Sequence, residues 1–195
     1  MELIVTSILA FASTNIDDLF ILMLFFANNQ YKAKSIVLGQ YIGFIALIAI
    51  SFAGSLLGLL VPQSYIGLLG LLPIFFGIRD LLTFFRRQHL EIQKSEIASG
   101  NSNRTLTVAA VTFANGGDNI GIYIPLFTTL LIPQKITMVI VFLAMVGIWC
   151  LIAQYLISRP ITAKKIARYK NTITPIVLIL LGIYILYSSG TFKLL

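Results

Sequence analysis

Asn15-Ile16-Asp17-Asp18 lies in the middle of an apolar run at residues 3–27, and Asn115-Gly116-Gly117-Asp118 lies in the middle of another at 106–131. The two tetrads place an Asn and an Asp at the same spacing, and Ala10 matches Ala110 at the same offset. Each run supplies the ~20 mostly apolar residues that a bilayer-spanning helix needs. A carboxylate at the centre of such a helix costs roughly 2.5 to 3.5 kcal/mol on insertion scales. Three of them, Asp17, Asp18 and Asp118, therefore point to a use for the charge. The bland alternative is a cluster of protonated acids and amides that only holds helices together.

Outward from these two runs, four more have spanning character, at 35–61, 65–85, 136–157 and 174–187. The chain has 195 residues, 58% hydrophobic and only 11% charged. Soluble domains carry about 25% charged residues, so this surface is suited to lipid. The expectation is an all-α integral membrane protein with six transmembrane helices. The whole of 1–195 forms one membrane domain, with a first three-helix repeat at 1–86, a polar loop at 87–104 and a second three-helix repeat at 105–195. Three helices per half make the second half enter the membrane from the opposite side, giving inverted repeats with a site between them at mid-depth. Helices three and six carry a weaker echo, Gly77-Ile78 against Gly182-Ile183.

Residues 1–27 do not read as a cleaved leader. Ala10-Phe11-Ala12 has small residues at cleavage spacing, but Glu2 is the sole charge before it and the apolar run resumes after Asp18. The formal charge of +7 is a matter of topology. With six spans, Lys135 and Lys193 share one side of the membrane with both termini. Lys32, Lys34, Arg86, Arg87, Lys94, Arg104, Arg159, Lys164, Lys165, Arg168 and Lys170 share the other. Positive loops stay cytoplasmic, so both termini are expected outside and the 87–104 loop inside. No nucleic-acid partner is needed to explain the basic balance. The 159–170 cluster suits anionic membrane lipid, and homo-oligomerisation is left open.

The carboxylates come with amides. Asn15 and Asp18 are three apart and share a face of a regular helix, as Asn115 does with Asp118 and Asn119. Asp17 then points about 100° away from Asp18. Gly116-Gly117 weakens helix four before Asp118, and Pro125 removes another backbone bond. Carboxylate, amide and carbonyl oxygens make a cation site. The candidate ligands are Asn15, Asp17, Asp18, Asn115, Asp118 and Asn119. Such oxygens favour hard divalent ions, while thiolates favour softer ones.

At these residues the chain resembles the bacterial cadmium-resistance transporter family, within the wider lysine-exporter superfamily. Ser13-Thr14-Asn15-Ile16-Asp17-Asp18 and the run from Asn115 to Pro125 carry the resemblance, which extends over nearly the whole chain. It implies secondary efflux of cadmium, and of zinc or another divalent ion, across the cytoplasmic membrane, with the metal as substrate and protons as coupling ion. Export of cationic amino acids and a non-transporting scaffold are the competing readings.

Lesser candidates have ordinary explanations. Cys150 and Met145 offer soft ligands but read as packing residues. Arg79 and Asp80 read as a snorkelling Arg and a local ion pair, with a gate as the functional alternative. Gln40 and Gln154 are polar residues within spans; Trp149 reads as packing and His89 as solvated. A lone cysteine excludes a disulfide within the chain. No phosphate-cradling glycine motif is present, so neither an ATP-driven pump nor another enzyme is expected, and no resident cofactor.

Overall fold

The computed structural model describes residues 2–57, 67–86, 103–159 and 174–187. The loop expected at 87–104 lies outside them apart from its last two residues. So do His89, Lys193, the basic residues of 160–170 and the side chains of Asp80 and Arg86. Among the described residues the chain is helical, with turns and no strand.

In chain order the helices are α1 (Glu2–Thr14), α2 (Ile16–Ala27), α3 (Ala33–Leu57), α4 (Leu71–Arg86, preceded by the 3-10 turn Gly67–Gly70), α5 (Arg104–Asn115), α6 (Gly117–Thr128), α7 (Ile132–Ile157) and α8 (Thr174–Tyr187). Helices α3 and α7 are long and apolar enough to cross a membrane. The pair α1–α2 makes a third candidate span if it is taken as one, and it bends by 59° at Asn15. The fourth apolar run is likewise two helices, parted at Gly116.

Glycines set how closely the helices meet. Between helices in lipid no hydrophobic force acts, so close backbone approach at small residues supplies the packing. A Cβ on Gly39 would stand 2.6 Å from the Thr105 carbonyl oxygen, and one on Gly43 2.6 Å from that of Ala109. These two glycines let α3 lie directly along α5. A second seam joins α4 to α8, where Gly70 meets Gly182 and Gly77 meets the Pro175 carbonyl. At the centre, Phe11, Phe44, Tyr123, Phe142 and Trp149 interlock edge-on or tilted, with ring centroids 4.8–6.3 Å apart. They join α1, α3, α6 and α7 around the two helix breaks. Large apolar side chains such as Leu24, Ile42, Ile140, Leu151 and Leu180 point outward, as suits a lipid-facing surface.

One expectation fails here. Lys135 does not belong to a loop: α7 starts earlier, at Ile132, and takes Lys135 into its first turns. Pro133 suits that start because an N–H is not needed there. Gln134 Oε1 accepts the Leu131 N–H at 2.9 Å. Lys135 is 1% exposed, donates to Ser55 Oγ at 3.1 Å and lies 5.7 Å from the Phe52 ring centre. It therefore drops out of the loop-charge tally.

Candidate metal site

The site begins with why α1 stops at Thr14. Three consecutive side chains turn back onto the last carbonyls of that helix. Ser13 and Thr14 hydroxyls donate to Ala10 O at 3.0 and 2.9 Å, and Asn15 Nδ2 donates to Phe11 O at 2.8 Å. Such local bonds compete with helix continuation. The Asn15 carbonyl is left with a stretched bond from Leu19 N–H at 3.3 Å and a second donor, Trp149 Nε1, at 2.8 Å. Trp149 is thus more than packing: it pins the break from another helix.

Both breaks have the same consequence. Helix α2 restarts at Ile16 with Asp17 and Asp18 in its first turn, and α6 restarts at Gly117 with Asp118 in its first turn. A helix N-terminus has unpaired N–H groups and the positive end of the dipole. Breaking each helix just before its acids lowers the cost of carboxylate charge in an apolar setting.

The fold then separates the three acids. Asp18 is 2% exposed and accepts two amide bonds, from Asn115 Nδ2 at 2.6 Å and Gln40 Nε2 at 3.1 Å. Gln40 in turn accepts from Thr112 Oγ1 at 2.6 Å. Asp17 is half-buried, and Asp118 is exposed in the first turn of α6. Asp118 is still within electrostatic reach of Asp17 and of Arg79. Asn15 and Asn119 are both 1% exposed and are joined by a 3.2 Å bond from Asn119 Nδ2 to Asn15 Oδ1. Tyr123 OH closes this second group, 2.7 Å from both Thr14 Oγ1 and Asn15 Nδ2.

The six expected ligands thus fall into two bonded pairs, Asp18–Asn115 and Asn15–Asn119, with Asp17 next to the first in the chain and Asp118 next to the second. Among the described residues no three of His, Cys, Asp and Glu converge as a metal cluster. The oxygen-rich alternative does exist: amide, hydroxyl and phenol groups surround Asp18 and Asn15. Asn119 Oδ1 is buried with no donor facing it among the described residues, which leaves a lone pair for a cation. Gln40, Thr112, Thr14 and Tyr123 belong to this polar centre and were not among the expected ligands. Gln40 had a sequence signal as a polar residue within a span, and Thr14 and Tyr123 lie in the two runs that carry the family resemblance; Thr112 had none. Cys150 is buried beside Trp149 and within electrostatic reach of Asp18. Gln154 lies on the exposed face of α7, apart from the site.

Comparison with known proteins places the chain. The pattern that defines the cadmium resistance transporter family matches residues 11–195, which includes both tetrads and nearly the whole chain. No curated protein and no solved structure matches it. With a match over that length, this chain belongs to the cadmium resistance transporter family, a family of membrane transporters for metal.

Proposed function

We propose that the chain is a secondary exporter of divalent heavy-metal cations, cadmium foremost and zinc as a second substrate, working by metal/proton antiport across the bacterial cytoplasmic membrane. The observation that carries this reading is Asp18, a buried carboxylate held at the meeting point of two broken helices. Asn15, Asp17, Asn115, Asp118 and Asn119 complete the proposed ligand set, with Gln40 beside it. The amides of Asn115 and Gln40 satisfy Asp18 with N–H donors. An entering cation displaces these donors, and the amides turn their carbonyl oxygens toward it.

The proposed architecture is six spans in two inverted halves, 1–86 and 105–195, with the 87–104 loop cytoplasmic and both termini outside. Three features support it. Both carboxylate-bearing runs break just before their acids. The long helix α3 packs on α5 and α6, while the long helix α7 packs on α1 and α2. Finally, the Gly70–Gly182 and Gly77–Pro175 contacts interchange when α4 and α8 are exchanged, as a two-fold axis between them requires. The loop charges support the orientation, now without Lys135.

Antiport follows from the cost of bare charge. Protonated carboxyls let the empty site reorient without carrying anions through a low-dielectric core. A divalent ion favours the ionised oxygens and expels the protons. Cadmium affinity should therefore fall as pH falls, on the order of tenfold per pH unit for each proton displaced. Titration of purified protein with cadmium across a pH series checks this; an affinity flat with pH removes proton exchange and leaves a potential-driven uniporter. The function itself is tested by cadmium uptake into inverted vesicles with lysine as competitor. Metal-specific uptake untouched by lysine is expected. Uptake of lysine, or of neither, points to the amino-acid exporter or the scaffold.

A further inference from the structure

Each long helix reaches a break in the opposite half of the chain. Leu47 of α3 fills the notch at Gly116, and Trp149 of α7 reaches Asn15. Positions 47 and 149 are 102 residues apart, between the offset of 100 that relates Asn15 to Asn115 and the 105 that relates Gly77 to Gly182. The second break has Gly116 and Gly117 to ease it. Ser13-Thr14-Asn15-Ile16 at the first has no glycine. There the buried Asn15 carbonyl has only a stretched bond from its own helix, Leu19 N–H at 3.3 Å. A buried carbonyl so weakly paired favours straightening, which would restore the regular bond from four residues on. The indole N–H of Trp149, donating at 2.8 Å, pairs that carbonyl while the 59° bend is kept. On the bent chain the Asn15 side chain faces α6: Nδ2 donates to Tyr123 OH at 2.7 Å, and Oδ1 accepts from Asn119 Nδ2 at 3.2 Å.

We propose that Trp149 is a positioning residue of the metal site: its indole N–H holds the first break in the bend that sets Asn15 against Asn119, and so raises affinity for the divalent cation without touching it. This rests on the exporter reading above. Without the N–H, Leu19 recovers the Asn15 carbonyl, the helix straightens and the two amides part.

The test uses the full chain, purified, with cadmium as the probe. Trp149→Phe keeps an aromatic ring beside Phe11 and drops the N–H. Its cadmium affinity should fall about tenfold, the worth of one buried hydrogen bond. Trp149 is the chain's single tryptophan, so supplying benzothienylalanine in place of tryptophan alters this side chain alone. That analogue keeps the shape with sulfur where the N–H was, and it should bind cadmium as weakly as Trp149→Phe. A ring-fluorinated tryptophan keeps the N–H and should bind as the parent does. Asn119→Ala should weaken binding in the parent but add little in Trp149→Phe, because residues that act through one another are not additive. Parental affinity in the benzothienylalanine protein overturns the proposal. So does full additivity of Trp149→Phe with Asn119→Ala, which leaves Trp149 to the fold alone. A parent protein that binds no cadmium overturns the exporter reading itself, a result distinct from either.

Discussion

Asp18→Asn abolishes cadmium resistance while the protein still reaches the membrane. Both oxygens of Asp18 accept amide N–H bonds. Asn preserves shape and one acceptor but turns an N–H toward an existing donor, a mismatch that costs about 1–3 kcal/mol of stability. Loss of the charge weighs more. A buried ion left without its partner costs ~3–5 kcal/mol, so cadmium transport should drop by at least about 100-fold. Asp118→Asn separates the two effects, because Asp118 is exposed where Asp18 is buried. It should lose resistance with no change in membrane abundance. Growth in cadmium, scored against protein in the membrane fraction, reads both. Full resistance in both variants ends the cation-site reading, and loss of protein without loss of activity per molecule makes the acids structural.

Gly43→Val should cause a large loss of stability. A Cβ there lands 2.6 Å from the Ala109 carbonyl oxygen and 2.8 Å from Thr112 Cβ. A helix backbone cannot step aside as a side chain can, so α3 must move off α5. Overpacking of this kind costs about 1–3 kcal/mol, and more against backbone. The same movement pulls Gln40 from Thr112 and loosens its hold on Asp18. Gly117→Ala is the matched control. Its Cβ meets open space, and Ala favours the helix by up to ~1 kcal/mol. Thermal unfolding in detergent should show a lowered midpoint for Gly43→Val and an equal or raised one for Gly117→Ala. Equal midpoints for the two would mean that the α3–α5 seam does not hold the fold.

Much of this was legible in the chain because lipid makes exceptions conspicuous. Three acids inside apolar runs stand out at once, and the repeated Asn-x-x-Asp spacing ties them together. Gly116-Gly117 announced the second break, since two poor helix formers precede Asp118. The first break had no such sign. Ser13, Thr14 and Asn15 end α1 through bonds to their own backbone, and the indole that fixes the break comes from Trp149, far along the chain. Lys135 misled because Pro133-Gln134-Lys135 has the composition of a loop, while a helix start accepts the same residues. The spacing set Asp17 about 100° from Asp18, but the packing of α3 and α5 is what makes Asp18 the buried one. Thr112 gave no signal at all, because an isolated Thr acquires meaning only from the Gln40 it meets.

Equilibrium binding of cadmium to the purified, full-length protein is the most direct test of the claim that Asp18 anchors a divalent cation between the two helix breaks. Saturable binding of cadmium by the parent chain, weakened by at least about 100-fold in Asp18→Asn while helical content and thermal unfolding show a folded protein, is the predicted result. Equal cadmium affinity in the parent and in a folded Asp18→Asn variant would contradict it.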